Sequence, residues 1–596
     1  MSVEQSHSST PQYCITAAAV LLAYYLVPYF RDPHNYRRRF PGPLSASFSN
    51  WWMTRNALSG KYSETLHELH TRYGKFVRIA PNHISIADPN ALEARLIAVY
   101  GHSSGLLKSE FYDAFKTDSE GDIFNSRDKA VHTMKRKRIA NIYSAQNVLA
   151  FEPRVRGHIE RFCAQLDIRC EQALQGVSGF NWEVKDGSAI INCCPQFAFL
   201  AFDLISDLAL GFPFGLIDAQ KDSTPTTLSL ASKRSAQSLP IIQIISQSGT
   251  FVKFIGSCSS LVRKCLLFST KLVSSAPNLF RNITKAAVDA RARKVESGKV
   301  DEEGRGIDLL DKLFEVKNHD GSPLSKSEID SEAMITIGAG SDTTSNTLAA
   351  LCYYITADSN IKKRLQEELD SIRSNAGTDT NTLEKGQSGY RIFDFEQVKN
   401  LPYLNACIKE TLRLYSTVGT GLPRVVPAGR TFTVAGENFS EGSVISVPSY
   451  STNRSSVWGA DPDVYRPERW LEEGSGSLNK YYVPFSTGPR ACIGRNLANM
   501  NLLLVSAAFF SRYDVQLPTP TTKLETREGF VREAKILDDT GRLALHLRHP
   551  TLHTPSTAMR LRVSFSPHPP LLTVRKPSLG RRTVKSNLPK FNSLRL

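Results

Sequence analysis

Several patterns that mark large protein classes are missing from this sequence of 596 residues. Its ten cysteines form no CxxC pair and no dense cluster, which excludes a small disulfide-stapled secreted domain and favours reduced thiols. No repeat of 20 to 50 residues is present, so a solenoid or a propeller is excluded. No glycine-rich flavin or nicotinamide loop follows a predicted strand, so we do not expect this chain to bind either cofactor itself.

The composition is that of a globular protein, and the positive charge is concentrated at the ends of the chain. Hydrophobic residues make up 41% and charged residues 22%, which excludes collagen, coiled coils and polytopic membrane proteins. The net charge is +16, of which residues 551–596 carry +9 and residues 1–40 carry +2. Residues 41–550 are therefore close to neutral, and we expect no nucleic-acid partner for them. We predict that residues 551–596 form a basic, disordered tail.

The N-terminal region contains an uncharged run at residues 13–30. A helix of this length spans roughly 27 Å, close to the hydrocarbon thickness of a bilayer. Basic residues are absent before the run and follow it at Arg31 and at 37–39, which disfavours a cleaved signal peptide and places the following residues in the cytosol. The sequence predicts a luminal N-terminus at 1–12, a transmembrane anchor at 13–30, a basic, proline-containing hinge at 31–43 and a folded body at 44–550.

The body is expected to be mainly α-helical with a minor β-sheet. Residues 76–79 and 83–86 are strand-like, and Pro81 and Asn82 between them predict a hairpin. Apolar residues at three and four spacing predict long helical stretches around 150–210, 328–373 and 396–415. The polar segment at 374–390 is interpreted as an exposed loop.

The strongest functional signal is the segment FSTGPRACIG at 485–494, which directly precedes a helical run. A cysteine in this position lies near backbone N–H groups and the positive end of a helix dipole, and both favour the thiolate. Gly488 and Gly494 would let the backbone approach a flat cofactor, and Arg490 offers a guanidinium fork to a carboxylate. For an isolated cysteine, a buried structural role would be the alternative.

The complete pattern F-x-x-G-x-R-x-C-x-G from Phe485 to Gly494 resembles the haem-binding loop of the cytochrome P450 family. The resemblance extends over roughly residues 40–550, with the other motifs in the expected order. It implies an α+β cytochrome P450 fold behind the N-terminal anchor, and a haem whose iron is ligated by the thiolate of Cys492. It also implies that Phe485 and Arg490 contribute to cofactor binding.

The segment AGSDTT at 339–344 matches the distal helix motif of that family. Gly340 removes side-chain bulk, and the Thr343 hydroxyl can bond to a helix carbonyl, which would leave a polar notch for oxygen and a water. The resemblance implies that Thr343 holds the terminal water of a proton relay and that Asp342 resupplies it. Holding the helix open is the alternative role for Asp342, and a helix cap is the alternative for an isolated AGSDTT.

Two further motifs place arginines near the cofactor. HTMKR at 132–136 resembles the family's W-x-x-x-R segment with His132 in place of tryptophan, which implies that Arg136 pairs with a haem propionate. Arg424, in LPRVV at 422–426, would supply another propionate partner. The basic run at 135–138 is otherwise interpreted as a solvated helix face or as a docking patch for an acidic reductase.

A charged triad is expected behind the haem loop. Glu410 and Arg413 lie three residues apart in ETLR, and Arg469 lies in PERW, the family's second arginine element. The resemblance implies that the three side chains form a buried structural cluster.

Within the family, the segments at 77–88, 100–102 and 107–115 resemble fungal benzoate 4-hydroxylases and their relatives. This implies a monooxygenase of the endoplasmic reticulum membrane, with its catalytic body in the cytosol, that hydroxylates benzoate-type acids or similarly apolar aromatics. It would use O2 and electrons from NADPH through a separate cytochrome P450 reductase. A haem-thiolate isomerase or dehydratase is one alternative, against which Asp342 and Thr343 argue. A non-enzymatic basic membrane or nucleic-acid adaptor is the other.

Overall fold

Helices dominate the chain, and a long central helix organises the others. The computed structural model describes residues 9–91, 99–116, 120–225, 238–273, 276–297, 308–375, 392–537 and 545–548. In chain order, the α-helices are α1 (Ser9–Arg31), α2 (Tyr36–Arg39), α3 (Trp51–Leu58), α4 (Tyr62–Tyr73), α5 (Lys129–Ile139), α6 (Ala145–Leu149), α7 (Glu152–Leu174), α8 (Cys193–Leu210), α9 (Leu216–Ala219), α10 (Ile241–Ser257), α11 (Ser260–Val273), α12 (Ala276–Glu296), α13 (Leu309–Glu315), α14 (Lys326–Ala357), α15 (Ser359–Asn375), α16 (Phe395–Val398), α17 (Pro402–Tyr415), α18 (Ser449–Thr452) and α19 (Arg495–Arg512).

The strands are short and form small sheets. They are β1 (Phe76–Ala80), β2 (His83–Ile86), β3 (Leu107–Lys108), β4 (Trp182–Lys185), β5 (Ser188–Ile191), β6 (Thr224–Pro225), β7 (Ser238–Leu239), β8 (Arg424–Val425), β9 (Phe432–Val434), β10 (Glu437–Phe439), β11 (Val444–Ser446), β12 (Asp514–Gln516), β13 (Lys523–Glu528), β14 (Arg532–Leu537) and β15 (Leu545–Arg548). One sheet has the order β1-β2-β11-β8-β3 and another the order β12-β15-β5-β4, while β9 with β10, β13 with β14, and β6 with β7 form hairpins. The prediction of a mainly α-helical protein with minor sheet is confirmed.

The core is built where α14 packs along α8. Helix α8 is almost entirely buried, and its side chains Phe197, Phe202 and Leu208 form part of the core. Burying each such side chain contributes roughly 1.5–3 kcal/mol. Helix α14 begins at Ser325, whose hydroxyl accepts the Glu328 N–H, and it runs for 32 residues through this core. The AGSDTT motif therefore lies in the middle of this long core helix.

The predicted hairpin is confirmed, whereas the helical stretch predicted around 150–210 is interrupted. Strands β1 and β2 pair in antiparallel orientation, with Phe76 opposite Ile86. Between α7 and α8, residues 182–191 form the hairpin β4–β5, which the helical periodicity of the flanking segments concealed. The stretch predicted around 328–373 is divided between α14 and α15. The predicted loop at 374–390 falls almost entirely, and the predicted tail entirely, outside the described residues.

Two helices of the described chain are long and apolar enough to cross a membrane, Tyr13–Arg31 and Cys193–Leu210. The second is α8, a buried core helix. The first belongs to α1, whose apolar side chains are exposed, including Tyr13 at 73% and Phe30 at 72%. This exposed apolar surface makes α1 a candidate membrane anchor, as the sequence predicted.

The segment predicted as a hinge is packed onto the body. Tyr36 and Phe40 are buried against Phe439, and the Arg78 N–H donates to Pro41 O at 2.8 Å. A side chain at Gly42 would come within 2.2 Å of Arg78 O, so this position requires glycine. The chain thus becomes part of the folded body by Tyr36, which is earlier than the boundary predicted at residue 44.

Candidate active site

The loop at 485–494 is closed by its own backbone. The Cys492 N–H donates to Phe485 O at 2.9 Å, and Phe485 packs against the main core. Gly488 has a φ of +72°, and a Cβ there would lie 2.2 Å from Tyr100 O. Glycine is therefore required at 488 by the approach of the Tyr100 backbone, which differs from the predicted approach to a cofactor. Around Gly494, which directly precedes α19, the space for a Cβ is open.

The thiol of Cys492 lies near one backbone N–H, as the sequence predicted, and near two arginines that the sequence analysis did not place there. The Gly494 N–H and the guanidinium groups of Arg136 and Arg495 all favour its thiolate. Burial opposes them and is the larger effect, so the pKa of Cys492 is raised above its ordinary value. The Cys492 side chain nevertheless has an exposed surface. Exposure combined with a strong effect of burial indicates a thiol that faces an open space enclosed by protein.

Helix α14 also has an exposed residue between buried ones. Ala339 is exposed, although Ile337 and Ser341 beside it are buried in the core. The open surface of α14 therefore lies at the AGSDTT motif. Gly340 does not face this space, because a Cβ on Gly340 would meet the side chain of Ile205 in α8 at 2.9 Å. Gly340 thus permits close packing of α14 on α8, and Ala339 is the residue of the motif that is exposed.

The Thr343 hydroxyl donates to Ala339 O at 2.8 Å, as the sequence predicted for a threonine that opens the helix. One turn further along, the Thr347 hydroxyl donates to Thr343 O at 2.7 Å and lies 3.0 Å from the Thr417 hydroxyl. These bonds place the hydroxyls of Thr343 and Thr347 one turn apart along α14.

Asp342 is held by Asn346, a residue that the sequence analysis missed. The Asn346 amide donates to Asp342 Oδ1 at 2.9 Å, and its oxygen accepts the N–H of Ala534 in β14 at 2.8 Å. The backbone donor fixes which way the amide points. Burial, with the nearby Glu533 carboxylate, raises the pKa of Asp342 to about 7, and the Asn346 hydrogen bond opposes this increase. An asparagine four residues after an acid on a helix was the available sequence signal.

Arg136 and Arg490 both connect the Cys492 loop with α5. Arg136 donates to Ala491 O. Arg490 donates to Ser126 O and, at 3.2 Å each, to the carbonyls of Arg127 and Asp128 just before α5. Burial, followed by the nearby Arg424, lowers the pKa of Arg490 to about 10. Both guanidinium groups lie at the Cys492 loop, and each binds backbone carbonyls.

Arg424 on β8 is buried and only partly satisfied. Its Nη1 donates to the Tyr112 hydroxyl at 2.8 Å, whereas its Nη2 has no hydrogen-bond partner. Arg424 is 3% exposed, so bulk solvent does not reach most of its side chain. Leaving a buried charged donor unsatisfied costs more than 1–3 kcal/mol, and the site therefore favours an anion.

The residues present fit a haem. Within the described part of the chain, no cluster of three or more His, Cys, Asp or Glu side chains could hold a metal ion alone. A single open thiol such as Cys492 would suit an iron whose other protein-independent ligands come from a porphyrin. The unsatisfied Nη2 of Arg424 suits one of the porphyrin's carboxylates.

The interpretation of residues 135–138 as a solvated helix face is wrong for two of them. The Lys135 side chain is 6% exposed and lies 2.5 Å from Glu328 and 3.5 Å from Glu332 on α14. Arg138 also pairs with Glu328. These pairs attach α5 to α14, and the opposite charges lie nearly 200 residues away in the sequence.

The predicted charged triad is present and buried. Glu410 and Arg413 are 0% exposed, and Arg413 Nη2 donates to Glu410 Oε1 at 2.8 Å. Arg469 Nε donates to the same oxygen at 3.3 Å, and Trp470 Nε1 donates to Glu410 Oε2 at 3.0 Å. Removing one partner would leave a buried charge uncompensated, which typically costs about 3–5 kcal/mol.

Comparison with known proteins connects this geometry to a family. The family model for cytochrome P450 matches residues 41–537. A benzoate 4-monooxygenase of Aspergillus niger is 35% identical over 528 residues, which cover 88% of this chain and 96% of that protein. A pisatin demethylase of Fusarium vanettenii is 28% identical over 485 residues, which cover 80% of this chain and 85% of that protein.

The fold is likewise found among solved structures. A crystal structure of a cytochrome P450 superposes with a TM-score of 0.60 at 17% sequence identity. The match covers 82% of this chain and 94% of that chain. At this level of identity the comparison establishes the fold alone.

Proposed function

Because the chain belongs to the cytochrome P450 family and is a haem-thiolate monooxygenase, we propose that its substrates are benzoate-type aromatic acids. The observation that carries the proposal is the 35% identity to a benzoate 4-monooxygenase over nearly the full length of both chains. Family membership also argues against the adaptor alternative. The acid and hydroxyl at Asp342 and Thr343 argue against an isomerase or dehydratase, which has no need to deliver protons to oxygen.

The haem, when bound, supplies the redox chemistry that inserts one oxygen atom of O2 into the substrate. In the proposed site, Cys492 ligates the iron from the closed loop at 485–494. Arg424 has a free, buried donor for one haem carboxylate. Arg136 and Arg490 would contribute positive charge at the same edge and would keep the loop joined to α5 through their carbonyl bonds.

On α14, we assign proton delivery to Thr343 and Asp342. The Thr343 hydroxyl lies next to the open surface at Ala339 and can hold a water there. Asp342, with a pKa raised to about 7, carries a proton in a substantial fraction of molecules at neutral pH. Asn346 positions the Asp342 carboxyl, and Glu533 on β14 acts on it electrostatically. The proposed proton relay therefore consists of residues on α14, and Glu533 of the β13–β14 hairpin influences its acid.

The proposed acid predicts a pH dependence. Because the protonated carboxyl is the active form, product formed per NADPH should fall as the pH rises through about 7. Tyr415, whose pKa is raised well above its ordinary value by burial, stays protonated throughout. Asp342→Asn should lose the inflection and slow turnover by about 100-fold, at the low end of the effect of a positioned acid. Glu533→Gln removes a charge that raises the pKa of Asp342, so its inflection should move to lower pH.

The measurement is the ratio of product to NADPH between pH 6 and pH 8.5, with the NADPH consumption rate recorded separately. That rate reports on the reductase, so a pH effect on electron supply is distinguished from one on proton supply. If Asp342→Asn kept both the inflection and the turnover of the wild type, the relay would not include Asp342.

We further propose a single membrane anchor in α1, with the catalytic body in the cytosol on the endoplasmic reticulum, and a separate cytochrome P450 reductase as the source of electrons. The exposed apolar surface of α1 supports the anchor, and the arginines at 31 and 37–39 support the orientation. The absence of a flavin or nicotinamide motif from the sequence supports a separate electron donor.

The substrate proposal is tested by titrating the purified protein with benzoate and following the absorbance of its haem. An aromatic acid that enters the cavity displaces solvent near the iron, so a saturable spectral change and a hydroxylated benzoate are expected. Cyclohexanecarboxylate keeps the charge without the aromatic ring, and methyl benzoate keeps the aromatic ring without the charge, so they separate the contributions of the ring and of the charge. Spectral changes and products with steroids or polycyclic aromatics, but none with any benzoate, would refute the substrate class and leave the enzyme class standing.

A further inference from the structure

Lys108 is a buried lysine that lies opposite the proposed haem-binding Arg424, and no role has been assigned to it. It is the last residue of β3 and is only 5% exposed. Its Nζ donates to Phe124 O and lies 4.3 Å from the ring centroid of Tyr112 and 4.5 Å from that of Phe124. One carbonyl and two aromatic rings leave most of the ammonium's hydrogen-bonding capacity unused.

The pairing of β3 with β8 sets Lys108 directly opposite Arg424. Opposite residues of an antiparallel pair have their side chains on the same face, with Cβ atoms about 4.5–5.5 Å apart. Two like charges in this arrangement destabilise a sheet, and here both side chains are buried. The fold therefore places two cations together where neither can be solvated.

No carboxylate of the described residues compensates this pair within 4.0 Å. Asp122 is the nearest acid that acts on Lys108, but its oxygens accept from the backbone N–H groups of Phe124 and Asn125 at 2.7 and 2.8 Å and from the Asn125 side chain. Burial, followed by Arg424 and Arg490, lowers the pKa of Lys108 well below its ordinary value. His132 faces the same charges, and burial together with these cations lowers its pKa to about 3, so it adds no positive charge at neutral pH.

A bound anion would compensate the neighbouring positive charges of Lys108 and Arg424. The unsatisfied Nη2 of Arg424 and the free ammonium donors of Lys108 come from opposite positions of one strand pair, which suits a carboxylate shared between them. Tyr112 joins the two cations, because its hydroxyl accepts from Arg424 and its ring carries the Lys108 ammonium. We propose that Lys108 and Arg424 together bind a carboxylate of the haem, and that Tyr112 holds both in place.

This inference rests on the proposed role of Arg424 at the haem, and it does not depend on the identity of the substrate. The same donor chemistry would also suit the carboxylate of a benzoate. The haem is favoured because the other cations that act on Lys108 and His132, namely Arg490 and Arg136, lie beside the Cys492 loop.

The test compares the full-length wild type with Lys108→Met, which keeps the length of the side chain and removes the charge. The rate at which haem leaves the oxidised protein is measured with excess apomyoglobin as the acceptor. Loss of a charge-assisted hydrogen bond should accelerate haem release by about tenfold or more. The haem reduction potential should fall, because one positive charge beside it is removed. Lys108→Arg should restore both values, and Lys116→Met, on the surface of the same segment, should match the wild type.

If Lys108→Met fails to accumulate as a folded protein, Lys108→Gln provides a neutral side chain that retains an N–H donor. Wild-type rates of haem release and an unchanged potential in the folded neutral variant would overturn the proposal. Under that result, weaker binding of benzoate with unchanged binding of methyl benzoate would assign Lys108 to the substrate carboxylate. A wild type that binds haem but converts no benzoate would refute the substrate proposal and leave the haem-release comparison valid.

Discussion

Thr343→Ala should consume NADPH at close to the wild-type rate while forming little product. The Thr343 hydroxyl lies on the open face of α14 and is held by Ala339 O, so it positions a water without forming part of the core packing. Replacing it removes the group that orients the proton donor, and the reducing equivalents then leave as hydrogen peroxide. Product per NADPH should fall by about tenfold or more, since a positioned donor typically contributes at least ~100-fold and unordered water replaces part of it.

Thr343→Ser and Thr344→Ala make this experiment specific. Serine retains a hydroxyl at the same position and should recover most of the coupling. Thr344 is the neighbouring threonine and is buried, so its replacement tests the effect of a lost threonine that does not reach the cavity. Product and peroxide are measured in parallel with NADPH. An unchanged ratio in Thr343→Ala would contradict the relay, and a variant without haem would show that Thr343 is mainly structural.

The sequence was most informative where the chemistry lies within a short segment. The Cys492 loop is closed by the hydrogen bond between residues 485 and 492, so one short segment determines both the position of the cysteine and the shape of the loop. The β1–β2 hairpin was predictable for the same reason, because its turn and both strands lie within eleven residues. The charged triad was found through the family resemblance, since Glu410 and Arg469 are 59 residues apart.

Contacts between distant segments were not predictable. Asn346 fixes Asp342 because it meets a backbone N–H 188 residues later in the chain, and local periodicity contains no information about that contact. The proposed role of Lys108 depends on the strand register that sets it opposite Arg424. A shift of one residue would turn its side chain to the other face of the sheet. Lys135 likewise seemed solvated because its acidic partners lie on α14.

For two glycines, the sequence predicted a position at the cofactor site but not the group that packs against them. Gly340 was predicted at the cofactor site because it removes side-chain bulk and leaves room for oxygen, and Gly488 because it lets the backbone approach the cofactor. The structure shows close approach in both cases, but to Ile205 and to the Tyr100 backbone respectively. A glycine in a motif therefore indicates that something is near, and only the fold identifies what it is.

The ligand assignment is the central claim, and the largest effect is expected for Cys492→Ser. A thiolate donates electron density to the haem iron, which gives the reduced carbon monoxide complex a characteristic red-shifted Soret band. A serine hydroxyl is a much weaker donor and is not deprotonated in this setting, so the variant should lose the band, and its monooxygenase turnover should fall to background. Cys265→Ser, which replaces an exposed cysteine on α11, is the matched control and should retain both.

The decisive measurement is therefore the carbon monoxide difference spectrum of the reduced wild type and of these two variants at equal protein concentration. The account predicts the red-shifted band in the wild type and in Cys265→Ser, and its absence in Cys492→Ser. Retention of both the band and turnover by Cys492→Ser would contradict the account and would assign the iron to another of the ten cysteines.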